Sequence, residues 1–150
     1  MVVGVPGEDF GGGADLIAEA GAVNVLYGSS AHLTAIGNQI WHDDGKGIAR
    51  AVEEGDLLGF SLTTDDFNGD GYCDVVLRSP GEGFVTGQDA GSVIILLGSF
   101  SLLSAVDYEY WYQDTPGIEG LSESGDQFAW SLPVGLFRGN TSGGIGSFEQ

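Results

Sequence analysis

Basic residues are scarce: 4 Lys and Arg stand against 22 Asp and Glu, a formal net charge of −18. Nucleic-acid phosphates and anionic lipid heads recruit Lys and Arg to displace counterions, so both are excluded as natural partners of so acidic a surface. The single cysteine, Cys73, excludes an internal disulfide. Without a cationic neighbour it reads as a small residue beside a turn, not as a reactive thiol. No apolar run reaches the roughly 18 residues of a membrane-spanning helix; the most apolar stretch, Ser92 to Val106, is broken by Gly98, Ser99, Ser101 and Ser104. Met1-Val2-Val3-Gly4-Val5-Pro6 has neither the basic nor the apolar region of an export signal. Helical patterning is almost missing, and only Ala14 to Ala20 suits one turn, stopped by Gly21. Also missing are G-x-S-x-G, H-E-x-x-H, Walker and dinucleotide fingerprints, so no enzymatic activity is expected.

What is present is a core's worth of apolar residues and an excess of glycine. Hydrophobic residues make up 42% and aromatics 11%, enough to fold one domain despite the charge. The 27 Gly in 150 residues exceed twice the roughly 7% average and punctuate apolar runs, as short strands and turns require. The chain also repeats itself. Ala20-Gly21-Ala22-Val23-Asn24-Val25-Leu26-Tyr27-Gly28-Ser29 returns as Ala90-Gly91-Ser92-Val93-Ile94-Ile95-Leu96-Leu97-Gly98-Ser99, an offset of 70. Trp41 maps to Trp111 in the same register, and Gly55-Asp56-Leu57-Leu58-Gly59-Phe60 maps to Gly125-Asp126-Gln127-Phe128-Ala129-Trp130. Val2 to Glu8 matches Val76 to Glu82 at offset 74.

One repeat reads as four strands. Leu58 to Thr63 alternates Leu58, Phe60 and Leu62 on one face, placing Phe60 and its counterpart Trp130 in the core. Val75-Val76-Leu77 is a run buried on both sides, Ser92 to Leu97 is rich in β-branched residues, and Val106 to Tyr112 carries alternate aromatics. A four-stranded unit cannot cover both faces of its own sheet, so repeats must stack; radial stacking makes a β-propeller. The fold class expected is therefore all-β, a propeller segment of about two four-stranded blades. Residues 1–44 supply strands two to four of a first blade and 45–115 a complete blade. Residues 116–150 supply the first strand of a third, near 126–133, and then a degenerate loop or frayed tail. Because propellers close with at least four blades, the chain is expected to be a piece of a longer propeller, or else to assemble from several copies.

Asp66-Phe67-Asn68-Gly69-Asp70-Gly71-Tyr72-Cys73-Asp74, between Leu58-Gly59-Phe60-Ser61-Leu62 and Ser79-Pro80-Gly81, resembles the FG-GAP repeat of the integrin α-subunit propeller and its bacterial relatives. That resemblance implies calcium on blade loops and a role in extracellular adhesion or ligand display. Leu58-Gly59 stands for Phe-Gly, Arg78-Ser79-Pro80 for Gly-Ala-Pro and Phe128-Ala129 for Phe-Gly, whereas Gly4-Val5-Pro6 is closer.

The loop itself has the chemistry of a Ca²⁺ site, which needs 6 to 8 hard oxygens and a Gly for a sharp turn. Asp66, Asn68 and Asp70 stand at positions 1, 3 and 5, Gly71 at the turn, Tyr72 offers its carbonyl at position 7, and Asp74 closes at position 9. An Asx-rich turn without an ion uses the same residue types. An EF-hand is excluded because position 12 is Leu77 and the flanks are strands. One repeat on, Asp66, Asn68, Asp70 and Asp74 become Leu136, Arg138, Asn140 and Gly144, so one calcium per chain is expected.

His32 and His42 lie on different elements, and His42 reads as a sheet-face residue. Asp43-Asp44, Glu53-Glu54 and Asp65-Asp66 read as solvated acids, not a glycosidase pair. Asn140-Thr141-Ser142 fits a glycosylation acceptor. Trp41, Trp111, Tyr108, Tyr110 and Tyr112 read as packing between blades, with a ligand platform as the other option. The expected function is a calcium-binding extracellular module meeting a protein or glycan ligand. The alternative is the accessory propeller of a secreted hydrolase whose catalytic domain lies outside the chain.

Overall fold

The computed structural model describes residues 1–84 and 88–131, and within them the chain is all-β. Strands β1 (Val2–Val5), β2 (Ala22–Gly28) and β3 (Leu33–Trp41) form one antiparallel sheet in the order β1-β2-β3. Strands β4 (Leu62–Asp65), β5 (Asp74–Ser79), β6 (Ser92–Leu97) and β7 (Ser104–Trp111) form a second, β4-β5-β6-β7. Each is a meander in chain order, the arrangement of a propeller blade. Every residue of β5 is buried, as its apolar run requires of a strand covered on both faces.

The offset of 70 is written into the backbone. A bulge falls between Val25 and Tyr27 in β2 and between Ile95 and Leu97 in β6. Left-handed residues recur as Glu19 and Asp89 (φ 51° and 53°), Gly37 and Asp107 (73° and 62°), and Leu57 and Gln127 (56° and 50°). The seam between consecutive repeats is a short ladder: Gly55 N donates to Ala18 O at 3.0 Å, Leu57 N to Glu19 O at 3.0 Å and Leu58 N to Ala20 O at 3.0 Å. The same ladder returns as Gly125 N to Gln88 O at 2.9 Å, Gln127 N to Asp89 O at 3.2 Å and Phe128 N to Ala90 O at 2.6 Å.

The core lies between the two sheets and joins Val23, Val25, Trp41, Ile48, Leu58, Val75, Leu77, Ile94, Leu96 and Leu103. At its edge Tyr27 bonds Gln39, Leu103 N donates to the Tyr27 hydroxyl at 3.2 Å, and Gln39 Nε2 donates to Leu103 O at 3.0 Å. Polar satisfaction there clips β2 and β3 to the β6–β7 turn. Tyr108 and Tyr110 pack against the core, in line with a packing role. Trp41 is 2% exposed but its counterpart Trp111 is 37% exposed, because only Trp41 has a second described sheet across from it.

Three local expectations need correction. The strand read from Leu58 starts at Leu62: Leu57 and Gly59 are left-handed (φ 56° and 85°), and Phe60 N donates to Leu57 O at 3.0 Å, so 57–60 is a turn. Period-2 alternation does not extend through a turn. Phe60 and Trp130 are accordingly not core residues but 46% and 62% exposed. Their rings lie 6.0 Å apart and both face the Arg78 guanidinium, 5.2 Å and 5.0 Å from the ring centres. Phe60→Ala is therefore expected to cost about 1 kcal/mol, the scale of a cation–π contact, not the roughly 3 to 5 of a buried aromatic; thermal unfolding of the variant measures it. Finally, Ala14 to Ala20 gives only a 3₁₀ turn at Gly13–Asp15, closed by an antiparallel bridge between Phe10 and Ile17.

Residues 126–131 contain no strand. The rest of the third-blade strand, the degenerate loop 136–144 and the acceptor Asn140 lie outside the described residues.

Candidate functional site

Two acidic sites stand at opposite ends of β5. The first is the β4–β5 hairpin, where the Asp-rich loop winds around Asp66. Its Oδ1 accepts from Gly69 N (2.8 Å) and Asp70 N (3.0 Å), and its Oδ2 from Gly71 N (2.9 Å). Gly69 and Gly71 reach φ 79° and 89°, a conformation that glycine adopts without strain. Asn68 Oδ1 accepts from Asp70 N at 2.9 Å, while the Asp70 carboxylate accepts from Tyr72 N at 2.8 Å and from Asn68 Nδ2 at 3.0 Å.

Asp74 differs from the rest because it is fully buried. Its Oδ2 accepts from Phe67 N (2.8 Å) and Asn68 N (3.3 Å), and its Oδ1 from Gly98 N (2.7 Å). One carboxylate thus ties the hairpin to the end of β6. The loop is an Asx-turn network, and its oxygens retain capacity. An ionised carboxylate offers about four lone-pair directions and an amide oxygen two. The amide bonds above leave acceptors on Asp66, Asn68, Asp70 and Asp74, which with the Tyr72 carbonyl approach the lower end of a calcium shell. The residues present fit a hard cation.

The second site was not foreseen. Asp43 follows β3, Asp56 lies in the β3–β4 connection and Glu82 follows β5, and the seam brings one oxygen of each within 4.8 Å of the others. They are 3%, 1% and 2% exposed. Asp43 is thus no solvated acid, although Asp44, Glu53 and Glu54 beside it are exposed. Asp56 Oδ2 accepts from Glu53 N at 2.8 Å, Arg50 pairs with Glu82, and the Arg50 guanidinium lies 4.2 Å from the centre of the Tyr110 ring. Phe84, Tyr110 and Tyr112 form the aromatic wall, with Phe84 stacked on Tyr112 at 4.4 Å.

Burial pushes the Asp56 carboxyl up to about 7 and the Asp43 carboxyl up to about 6. For Asp56 the Glu53 N–H bond opposes the rise while the Asp43 and Glu53 charges add to it; for Asp43 the Glu53 charge adds to it; Arg50 opposes both. A carboxyl whose pKa is higher in the folded than in the unfolded chain stabilises the fold fully below the unfolded value near 4, and that stabilisation is lost as pH rises through the folded value. In chelator the melting temperature should therefore fall between pH 5 and pH 8, and Asp56→Asn should flatten the slope. A slope unchanged in that variant would remove Asp56 as its source.

Sequence signals for this seam were thin: Asp56 recurs as Asp126 and Glu82 as Glu8, and Arg50 is one of only four cations. The two histidines stand at opposite ends of β3. His32 is exposed; the His42 ring lies 4.5 Å from Phe10, with Nδ1 2.6 Å from Asp43 O. Cys73 is exposed.

No curated protein matches the chain. Residues 58–96, which run from the turn before β4 through β5 and most of β6 and include the Asp-rich hairpin, match the family model of the FG-GAP repeat; the chain carries an FG-GAP repeat within an all-β, blade-like pair of sheets.

Proposed function

We propose that the chain is a calcium-stabilised propeller module of an extracellular protein, non-catalytic, whose two sheets are consecutive blades and whose loops meet a protein or glycan ligand. The observation that carries this reading is the loop of Asp66, Asn68, Asp70, Tyr72 and Asp74 inside a matched FG-GAP repeat. Calcium supplies charge neutralisation there: three carboxylates crowd one hairpin, and the ion would hold β4 and β5 together. The partner-facing role rests on the family and on an acidic surface that favours solubility. Among the described residues no helix is long and apolar enough to cross a membrane.

Calcium in excess is expected to raise the stability by about 2.7 kcal/mol at a hundredfold ratio to its Kd, and to slow hydrogen exchange at 66–74. Asp70→Ala should abolish the protection of the loop, since it removes a central ligand. Unchanged protection in that variant would place the ion elsewhere.

A further inference from the structure

The seam cluster of Asp43, Asp56 and Glu82 is independent of the hairpin loop, lying beyond the other end of β5. Asp43 Oδ1 and Asp56 Oδ1 are buried with no hydrogen-bond partner. A sealed carboxylate oxygen without a donor is costly, so groups left in this state call for a ligand. With all three ionised, the carboxylates against the one guanidinium of Arg50 leave two negative charges, the complement of one divalent cation. We propose that Asp43, Asp56 and Glu82 form a calcium site that bridges the two sheets.

The choice of ion follows from hydration. Mg²⁺ dehydrates reluctantly and keeps several waters, whereas Ca²⁺ accepts irregular cages of protein oxygens. Acids only 1–3% exposed suit calcium. Arg50 keeps one oxygen of Glu82 and Glu53 N keeps one of Asp56, so each acid offers its other oxygen or its remaining lone pairs. The Tyr110 ring borders the cluster beside Arg50, with its hydroxyl turned to Ser92.

The repeat has not copied this site. At offset 70 Asp43 becomes Gln113, Arg50 becomes Gly120 and Asp56 becomes Asp126, whose Oδ2 accepts from Glu123 N at 2.8 Å. The seam therefore raises the expected calcium count from one to two, with the second ion joining sheets instead of closing a hairpin.

The test uses the full chain and CaCl₂, with stoichiometry from calorimetry and site assignment from hydrogen exchange. Asp70→Ala should retain one calcium equivalent and its calcium-dependent protection of residues 48–58. Asp43→Asn should lose that equivalent and that protection, and should fold without calcium at least as stably as the parent chain, because the amide removes a buried charge. In the parent chain, protection by calcium at 48–58 as well as 66–74 is expected, so the site is tested even if a variant fails to fold. Loss of all binding in Asp70→Ala, no loss in Asp43→Asn, or protection confined to 66–74 would overturn the seam site. Equal protection by MgCl₂ would overturn the choice of ion. A parent chain that binds a single ion, kept in Asp70→Ala and lost altogether in Asp43→Asn, would retain the seam site while refuting the hairpin reading.

Discussion

Replacement of Asp74 by Ala in calcium-free, chelated buffer is expected to cost about 3 to 5 kcal/mol, a large share of the roughly 5 to 15 that holds an ordinary domain together. The carboxylate is fully buried and accepts three backbone N–H groups, two from its own hairpin and one from Gly98 beyond β6. Ala removes all three hydrogen bonds at once. Gly98 is itself buried, so its N–H is left without this partner. Asp70 is the internal control. It is exposed and bonds only within the loop, so Asp70→Ala should change the chelated protein by no more than about 1 kcal/mol. Urea unfolding of both variants decides the matter: equal losses would mean that Asp74 holds no structure beyond its loop.

Gly21→Ala is expected to be as severe, by a different mechanism. Gly21 has φ 87°, and a Cβ there would stand 2.3 Å from Leu58 N, 2.5 Å from Leu58 O and 2.8 Å from Leu57 C. An L-residue in this conformation costs about 1–2 kcal/mol by itself. The overlap adds to that, since the atoms met are backbone held in the seam ladder and cannot swing aside as a side chain would. Relief requires the two sheets to part, which exposes Trp41 and Leu58. A loss above about 3 kcal/mol is expected, or failure to fold. Gly37→Ala separates the two contributions. Its φ is 73° with nothing within 4 Å of the added carbon, so only the backbone cost of about 1 kcal/mol should appear. Comparable losses in the two variants, with the fluorescence of buried Trp41 unchanged in both, would show that the seam is not tightly packed.

Much of this architecture was legible in the residue order. Strands β5 and β6 follow from Val75-Val76-Leu77 and from the β-branched run at 92–97, because strand propensity and turn chemistry act over a few residues. The offset of 70 announced two equivalent units, and the Asp66–Asp74 loop announced itself because its ligand chemistry is contained in nine consecutive residues. Other features depend on neighbours in space. Phe60 alternates correctly with Leu58 and Leu62, yet a left-handed turn at Leu57 and Gly59 breaks the alternation and turns the ring outward. Trp41 and Trp111 occupy the same place in the repeat, but one is sealed by a facing sheet and the other is half-exposed. The seam acids show the limit most clearly. Asp43, Asp56 and Glu82 come from three separate loops with no local spacing to unite them, and Asp43 looked like half of a solvated pair. Packing of one sheet on the next draws them together and removes water from them, and that desolvation turns three ordinary acids into a site.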